Sequence, residues 1–165
     1  MMNLIEQLQK NAGFRDDYHF CTDGKTIGYG RNVDNNPFTP NEILMLGRED
    51  FDNEPMTRDE AEDLLVNDVN KATASIKEYF PWSQLSPARK AVLVNMVIDM
   101  GITGLLKFKK MSRAIELQYY EKAAVEMLLS AWAKKEGLRA EQLIKQMYTG
   151  DWEQAVEYKP REIRL

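Results

Sequence analysis

The 165-residue sequence predicts an α+β fold dominated by helix, with a small N-terminal α/β lobe ahead of a larger helical lobe and a long helix joining the two. Three observations predict it. Apolar residues recur at helical spacing through most of the chain after Thr57. β-Branched and aromatic residues punctuated by glycine are confined to about residues 15–35. Two capping boxes, Thr39-Pro40-Asn41-Glu42 and Thr57-Arg58-Asp59-Glu60, mark helix starts. One domain over 1–165 suffices, with sub-lobes of about 1–56 and 57–165, and roughly 70% of the unfolded surface can be buried at this size without staples.

In chain order, Leu4, Ile5 and Leu8 mark one face of a helix from about Asn3 to Asn11. Thr26-Ile27-Gly28-Tyr29-Gly30 reads as a strand beside a close backbone approach, so a hairpin follows that helix. The first capping box, with proline at the first helical position, opens a short helix through Leu46 that Gly47 closes. The second box starts the long helix, where Ala61, Leu64, Leu65, Val69, Ala72 and Ile76 recur until Pro81. Ser86-Pro87 opens a helix apolar nearly all round, from Ala91 to Ile98, predicted to lie buried at the centre of the second lobe. Gly101 and Gly104 are expected to break it. Further helices are predicted from about Phe108 to Leu117, Tyr120 to Lys135 and Leu138 to Tyr148.

Composition narrows the function classes. The 44% hydrophobic content is ordinary, and no apolar run approaches the roughly 20 residues that span a bilayer, so a soluble protein with no membrane partner is expected. Met1 to Lys10 has neither a basic nor an apolar signal region and is read as helix, not leader. A single cysteine and a single histidine leave no cysteine-rich zinc site, and no metal or cofactor is expected. Residues 1–60 hold 6 Lys/Arg against 12 Asp/Glu, whereas residues 61–165 hold 16 against 14. The acidic part argues against a nucleic-acid groove. One basic cluster, Lys107-Phe108-Lys109-Lys110-Met111-Ser112-Arg113, reads as a solvated helical face, with contact to an anionic polymer as the alternative.

The most specific stretch is Ala12-Gly13 at the end of the first helix, then Cys21, then Thr26-Ile27-Gly28-Tyr29-Gly30. Downstream stand Thr57-Arg58-Asp59-Glu60-Ala61-Glu62, Leu93-Val94-Asn95-Met96, Met100-Gly101, Ser130-Ala131-Trp132 and Gly137-Leu138-Arg139-Ala140. In this order and spacing the chain resembles the phage-type lysozymes, endolysins of glycoside hydrolase family 24, from Leu4 to Trp152. The family pattern is a catalytic Glu followed by Gly, then Asp or sometimes Cys about nine positions on, then Thr in the glycine-punctuated strand. The resemblance implies a lysozyme-like fold, with Ala12 at the general-acid position and Cys21 and Thr26 as the other catalytic groups.

The chemistry can be stated without the family. Cleaving a glycosidic bond passes through an oxocarbenium-like state, so one group protonates the leaving oxygen while another attacks carbon or activates water. A Glu in a partly apolar site keeps its proton near neutral pH; alanine has none to give. Neither Glu6, well back along the helix, nor Asp16 and Asp17, past its end, falls at the same point. Ala12 is therefore read as an inactivating substitution, with a natural, non-catalytic peptidoglycan-binding protein as the alternative. Cys21 is either a small packing residue or a nucleophile or base whose thiolate is the reactive form. The Thr26 hydroxyl could position a water or bond to Cys21. His19, without a counterpart in the pattern, is read as a surface residue.

By resemblance, Gly30 and Asn32 enter the cleft from the strand, and Ile98, Asp99, Met111 and Glu126 face the saccharide from the helical lobe. Arg31 stands where many members have His, and Met111 and Glu126 replace smaller polar groups. Core packing is an equal alternative for Ile98 and Met111. The implied activity is hydrolysis of the β-1,4 bond between N-acetylmuramic acid and N-acetylglucosamine in peptidoglycan during host lysis. The implied setting is a monomer accumulating in the host cytoplasm and reaching the wall after holin-mediated release, with peptidoglycan as its partner.

Overall fold

A computed structural model describes residues 3–152; residues 1–2 and 153–165 of the expected domain lie outside the described residues. The elements run α1 (Leu4–Ala12), β1 (Arg15–Cys21), β2 (Gly24–Gly28), β3 (Arg31–Asn32), α2 (Pro40–Leu46), α3 (Arg58–Lys77), α4 (Pro87–Leu106), α5 (Lys109–Glu116), α6 (Tyr120–Leu128), α7 (Ala131–Glu136) and α8 (Leu138–Thr149). The mixture is α+β with helix dominant, as the periodicities predict. The three strands form one antiparallel sheet in the order β1-β2-β3.

Both predicted capping boxes form. The Thr39 and Thr57 hydroxyls each accept a bond from the backbone N–H three residues on, and Glu42 and Glu60 reach back to the cap N–H groups. α1 has a third, from Asn3 and Glu6. Two helix predictions need correction. The segment expected to run unbroken from Tyr120 to Lys135 is two helices, because the Ser130 hydroxyl caps a new start by accepting from Ala133 N–H. Of the two glycines expected to break α4, only Gly101 does, at φ 72°; Gly104 stays helical, where an added Cβ would fall 2.8 Å from Met100 Cγ.

Two clusters of buried side chains hold the molecule. The larger joins α3, α4, α5, α6 and α8 through residues including Ile76, Leu93, Met96, Ile115, Met127 and Leu143. The smaller packs the sheet on α3 through Ile27, Phe51, Met56, Ala61 and Leu64. α3 contributes to both, which is the joining role predicted for it. The sub-lobe expectation needs one correction: α1 begins the N-terminal part of the sequence, yet Leu4, Ile5 and Leu8 pack on the larger, helical cluster.

A buried polar chain locks α1 there. Asn11 Nδ2 donates to Asn95 Oδ1 at 3.5 Å, Asn95 Nδ2 donates to Gln7 Oε1 at 3.0 Å, Gln7 Nε2 donates to Gln146 Oε1, and Gln146 Nε2 donates to Ala88 C=O at 3.2 Å. Gln7, Asn95 and Gln146 are all buried, so each unmade bond there would leave a desolvated polar group. α1, α4 and α8 are thereby fixed in register close to Ala12.

Candidate active site

The sheet's pairing decides which side chains share a face. His19 is opposite Thr26, Cys21 opposite Gly24, and Thr26 opposite Asn32, so His19, Cys21, Thr26 and Asn32 project to one side. The neighbouring Ile27 and Arg31 project to the other, where both are buried. The β1–β2 register slips between Arg15 and His19, and Met56 N–H donates to Asp16 C=O at 2.8 Å inside the slip, tying this irregular stretch to the loop before α3.

Position 12 reaches the same region from α1. A Cβ placed on Gly30 would lie 3.4 Å from Ala12 Cβ, so the end of α1 and the turn between β2 and β3 are in direct contact. Gly30 has φ 82°, a left-handed conformation that disfavours a side chain. Ala12 thus stands on the helical core while Cys21 and Thr26 stand on the sheet.

Cys21 is exposed, with Sγ 3.8 Å from Thr26 Oγ1. The Thr26 hydroxyl donates to His19 C=O at 3.3 Å, which leaves its oxygen free to accept from the thiol or from a water. His19 is half-buried on the largely exposed β1, with Nδ1 3.2 Å from Arg15 Nη2. Asn32, expected at the cleft, is engaged in local hydrogen bonds. Its Oδ1 accepts from Asp34 and Asn35 N–H, both at 3.1 Å, and its Nδ2 donates to Asp23 C=O at 3.0 Å, so the side chain shapes the turn that carries Cys21.

Behind the sheet, Arg31 is buried in an ion cluster. Its guanidinium pairs with both oxygens of Glu42, at 2.6 and 3.0 Å, and lies 3.2 Å from Asp68. Burial pushes the Glu42 carboxyl up, but hydrogen bonds from Arg31, Thr39 N–H and Asn67 outweigh it and hold its pKa at about 2. At Asp68 burial prevails over the attraction of Arg31, and the carboxyl is raised. The cluster ties β3 to α2 and α3, and so holds Gly30 where it meets Ala12. Arg31 therefore acts as a support rather than as a cleft residue.

On the helical side, Ile98 and Asp99 lie three and four residues after Asn95, one turn further along the α4 face that touches α1. Ile98 is exposed, whereas Asp99 is engaged in an ion pair with Arg139 and accepts from Trp132 Nε1 at 3.5 Å. Met111 corrects the expected saccharide contact: it is wholly buried in the larger cluster, the core alternative, and presents no atom to a ligand. Glu126 lies half-buried on α6, which packs on α5 and α8. Sequence reasoning missed Gln7, Asn95 and Gln146; the available signal was an amide set within otherwise apolar helical faces. Among the described residues no group of three or more His, Cys, Asp or Glu could hold a metal ion.

A helix end and a sheet wall, held by different cores, meet over small residues, the arrangement that a lysozyme-like fold is expected to show. The chain belongs to the phage lysozyme family, whose model matches residues 9–156. It is 35% identical to probable T4-type lysozyme 1 of Dictyostelium discoideum, over 90% of this chain and 95% of that protein. Probable T4-type lysozyme 2 of the same organism is 29% identical over the same shares. The pre-baseplate central spike protein Gp5 of Enterobacteria phage T4 is also 29% identical, over 92% of this chain but 28% of its own length.

Proposed function

We propose that this chain is a peptidoglycan-cleaving endolysin scaffold in which Ala12 occupies the general-acid position, an inactivated Glu-to-Ala form of a muramidase. The observation that carries this is the contact between Ala12 and Gly30 beside the Cys21–Thr26 wall. A carboxyl on residue 12 would extend from a helix end packed by buried amides, against the turn that follows the strand bearing Thr26. It would protonate the leaving oxygen, while Cys21, as nucleophile or as base toward a water seated by Thr26, acts on the other face of the sugar. The methyl group of Ala12 removes the proton donor and leaves the supports in place: Gly30 in its left-handed conformation, the Arg31 cluster and the Asn95 amide chain.

Substrate binding without turnover follows, on the β-1,4-linked glycan of peptidoglycan. The proposed setting is a monomer in the host cytoplasm that acts on the wall after holin-mediated release. The test is a turbidity assay on permeabilised Gram-negative cells with the parent chain and with Ala12→Glu. Loss of a general acid costs on the order of 10² to 10⁴ in rate, so the substituted chain should clear cells faster by about that factor. If Ala12→Glu is as inert as the parent, the reading fails in favour of a natural, non-catalytic peptidoglycan-binding protein.

A further inference from the structure

His19 has no counterpart in the family pattern, yet the sheet sets it beside the thiol. It pairs directly with Thr26 across β1 and β2, and Cys21 lies two residues on, so the three side chains share one face. Residues two apart on a strand are separated by about 6.6 Å, a gap that an imidazole reaches across. Hydrogen bonding fixes what the ring offers. A guanidinium only donates, so Arg15 Nη2, 3.2 Å from His19 Nδ1, makes Nδ1 the acceptor and leaves the proton of the neutral ring on Nε2. Among the described residues no group accepts from Nε2.

Thr26 does not meet the needs of a thiolate. Its hydroxyl proton goes to His19 C=O at 3.3 Å, so toward Sγ, 3.8 Å away, it presents a lone pair. That suits the neutral thiol, whose S–H can donate to Thr26 Oγ1. A thiolate only accepts, and it is the reactive form whether Cys21 serves as nucleophile or as base. Asn32 Nδ2 is turned to Asp23 C=O at 3.0 Å. The charged groups around this face are Arg15, Asp16 and Asp17 on β1, Asp23 in the turn, Lys25 on β2 and Asp34 after β3. Lys25 Nζ lies over the Tyr18 ring, and Asp34 accepts from Lys25 N–H. α1 meets the sheet through Ala12, which carries no charge. Four exposed aspartates oppose a further negative charge, so a thiolate here calls for a dedicated donor.

We propose that His19 is a positioning residue for Cys21: with Nδ1 held by Arg15, its Nε2–H donates to the sulfur once the thiol proton has passed to water, and so favours the reactive thiolate near neutral pH. Standing on the same wall as Cys21, it does not replace the acid missing at position 12. Its part in turnover rests on the endolysin reading above, whereas the state of the thiol does not.

Cys21 is the only cysteine, so alkylation of the full chain by iodoacetamide reads this one sulfur. Rates are compared near pH 7 and near pH 10 for the parent, His19→Phe, His19→Ala and His19→Gln, with folding checked by circular dichroism. A hydrogen bond to an exposed charged group changes the thiolate fraction by about three- to tenfold, and roughly half of that, on a logarithmic scale, is returned as lower nucleophilicity of the bonded sulfur. His19→Phe and His19→Ala should therefore alkylate about two- to threefold more slowly near pH 7, and no more slowly near pH 10, where the thiol ionises unaided. His19→Gln, which keeps an N–H close to the Nε2 position, should match the parent. Parent-like rates near pH 7 for His19→Phe and His19→Ala overturn the proposal. So does equal slowing at both pH values, which reports access rather than ionisation, and so does a His19→Gln form as slow as His19→Ala. Beside Ala12→Glu, His19→Ala should lower clearing of permeabilised cells at neutral pH by a similar factor, and unchanged clearing overturns the role in turnover. An inert Ala12→Glu form instead defeats the endolysin reading and leaves the alkylation result to decide the state of the thiol.

Discussion

Replacing Arg31 by Leu should unfold the sheet lobe's attachment in a strongly pH-dependent way. The guanidinium and the Glu42 carboxylate are 4% and 5% exposed at the side chain, so solvent screens the pair little. Moving Glu42 from 4.5 to about 2 corresponds to about 3 kcal/mol at about 1.4 kcal/mol per pKa unit. Removing one partner of a buried pair costs about 3–5 kcal/mol by general experience, because the other charge is left uncompensated. The two figures agree. At about 2–4 °C per kcal/mol for a chain of this size, the Tm at neutral pH should fall by about 6–20 °C.

The sign with pH follows from the direction of the Glu42 shift. A depressed carboxyl stabilises the fold above its ordinary pKa of 4.5 and loses that contribution only as pH falls through about 2. Without Arg31, burial pushes Glu42 and Asp68 upward against the remaining hydrogen bonds from Thr39 N–H and Asn67 at Glu42 and from Asn36 at Asp68, so each takes up a proton at higher pH than in the parent and the cost of its burial is relieved in acid. Thermal melts of parent and Arg31→Leu, followed by circular dichroism near pH 7 and near pH 4, should show the gap narrowing in acid. A Tm loss below about 3 °C near neutrality, or an equal loss at both pH values, would refute the reasoning.

Three other outcomes are expected. Gly30→Ala puts its new methyl at ordinary contact distance from Ala12, so its cost is the left-handed backbone, about 1–2 kcal/mol in urea unfolding; no measurable loss would mean that the turn relaxes freely. Gln7→Leu and Asn95→Leu should each cost about 1–3 kcal/mol by orphaning buried amides, with the double variant costing less than the sum; strict additivity would deny the network. Cys21→Ala should change stability by no more than about 0.5 kcal/mol because the thiol is exposed. Placed beside Ala12→Glu it should lower clearing activity about 10²-fold or more, and full activity would reduce Cys21 to packing.

Much of the fold was legible locally. Capping boxes, proline at first helical positions and apolar spacing depend on residues three or four apart, and Thr39, Thr57 and Ser86 cap the helices they were expected to start. The hairpin was legible for the same reason, since its pairing partners are close in sequence. Ser130 was overlooked because a helical apolar pattern continues through it, and only its hydroxyl bond to Ala133 N–H reveals the new start. Met111 was ambiguous because an apolar residue on a basic helix suits either a core or a ligand surface, and burial alone separates them.

By itself, the sequence determined the class of elements, their order, the family pattern and the absence of a carboxyl at position 12. Only the tertiary structure decided that Ala12 stands on the helical core while Cys21 and Thr26 stand on the sheet, and that Arg31, Asn32 and Asp99 are tied into supporting contacts. The physical reason is separation along the chain. Gln7 bonds to Gln146 across 139 positions and Arg31 to Asp68 across the whole of α2, and no local periodicity encodes which distant polar group a buried side chain will meet.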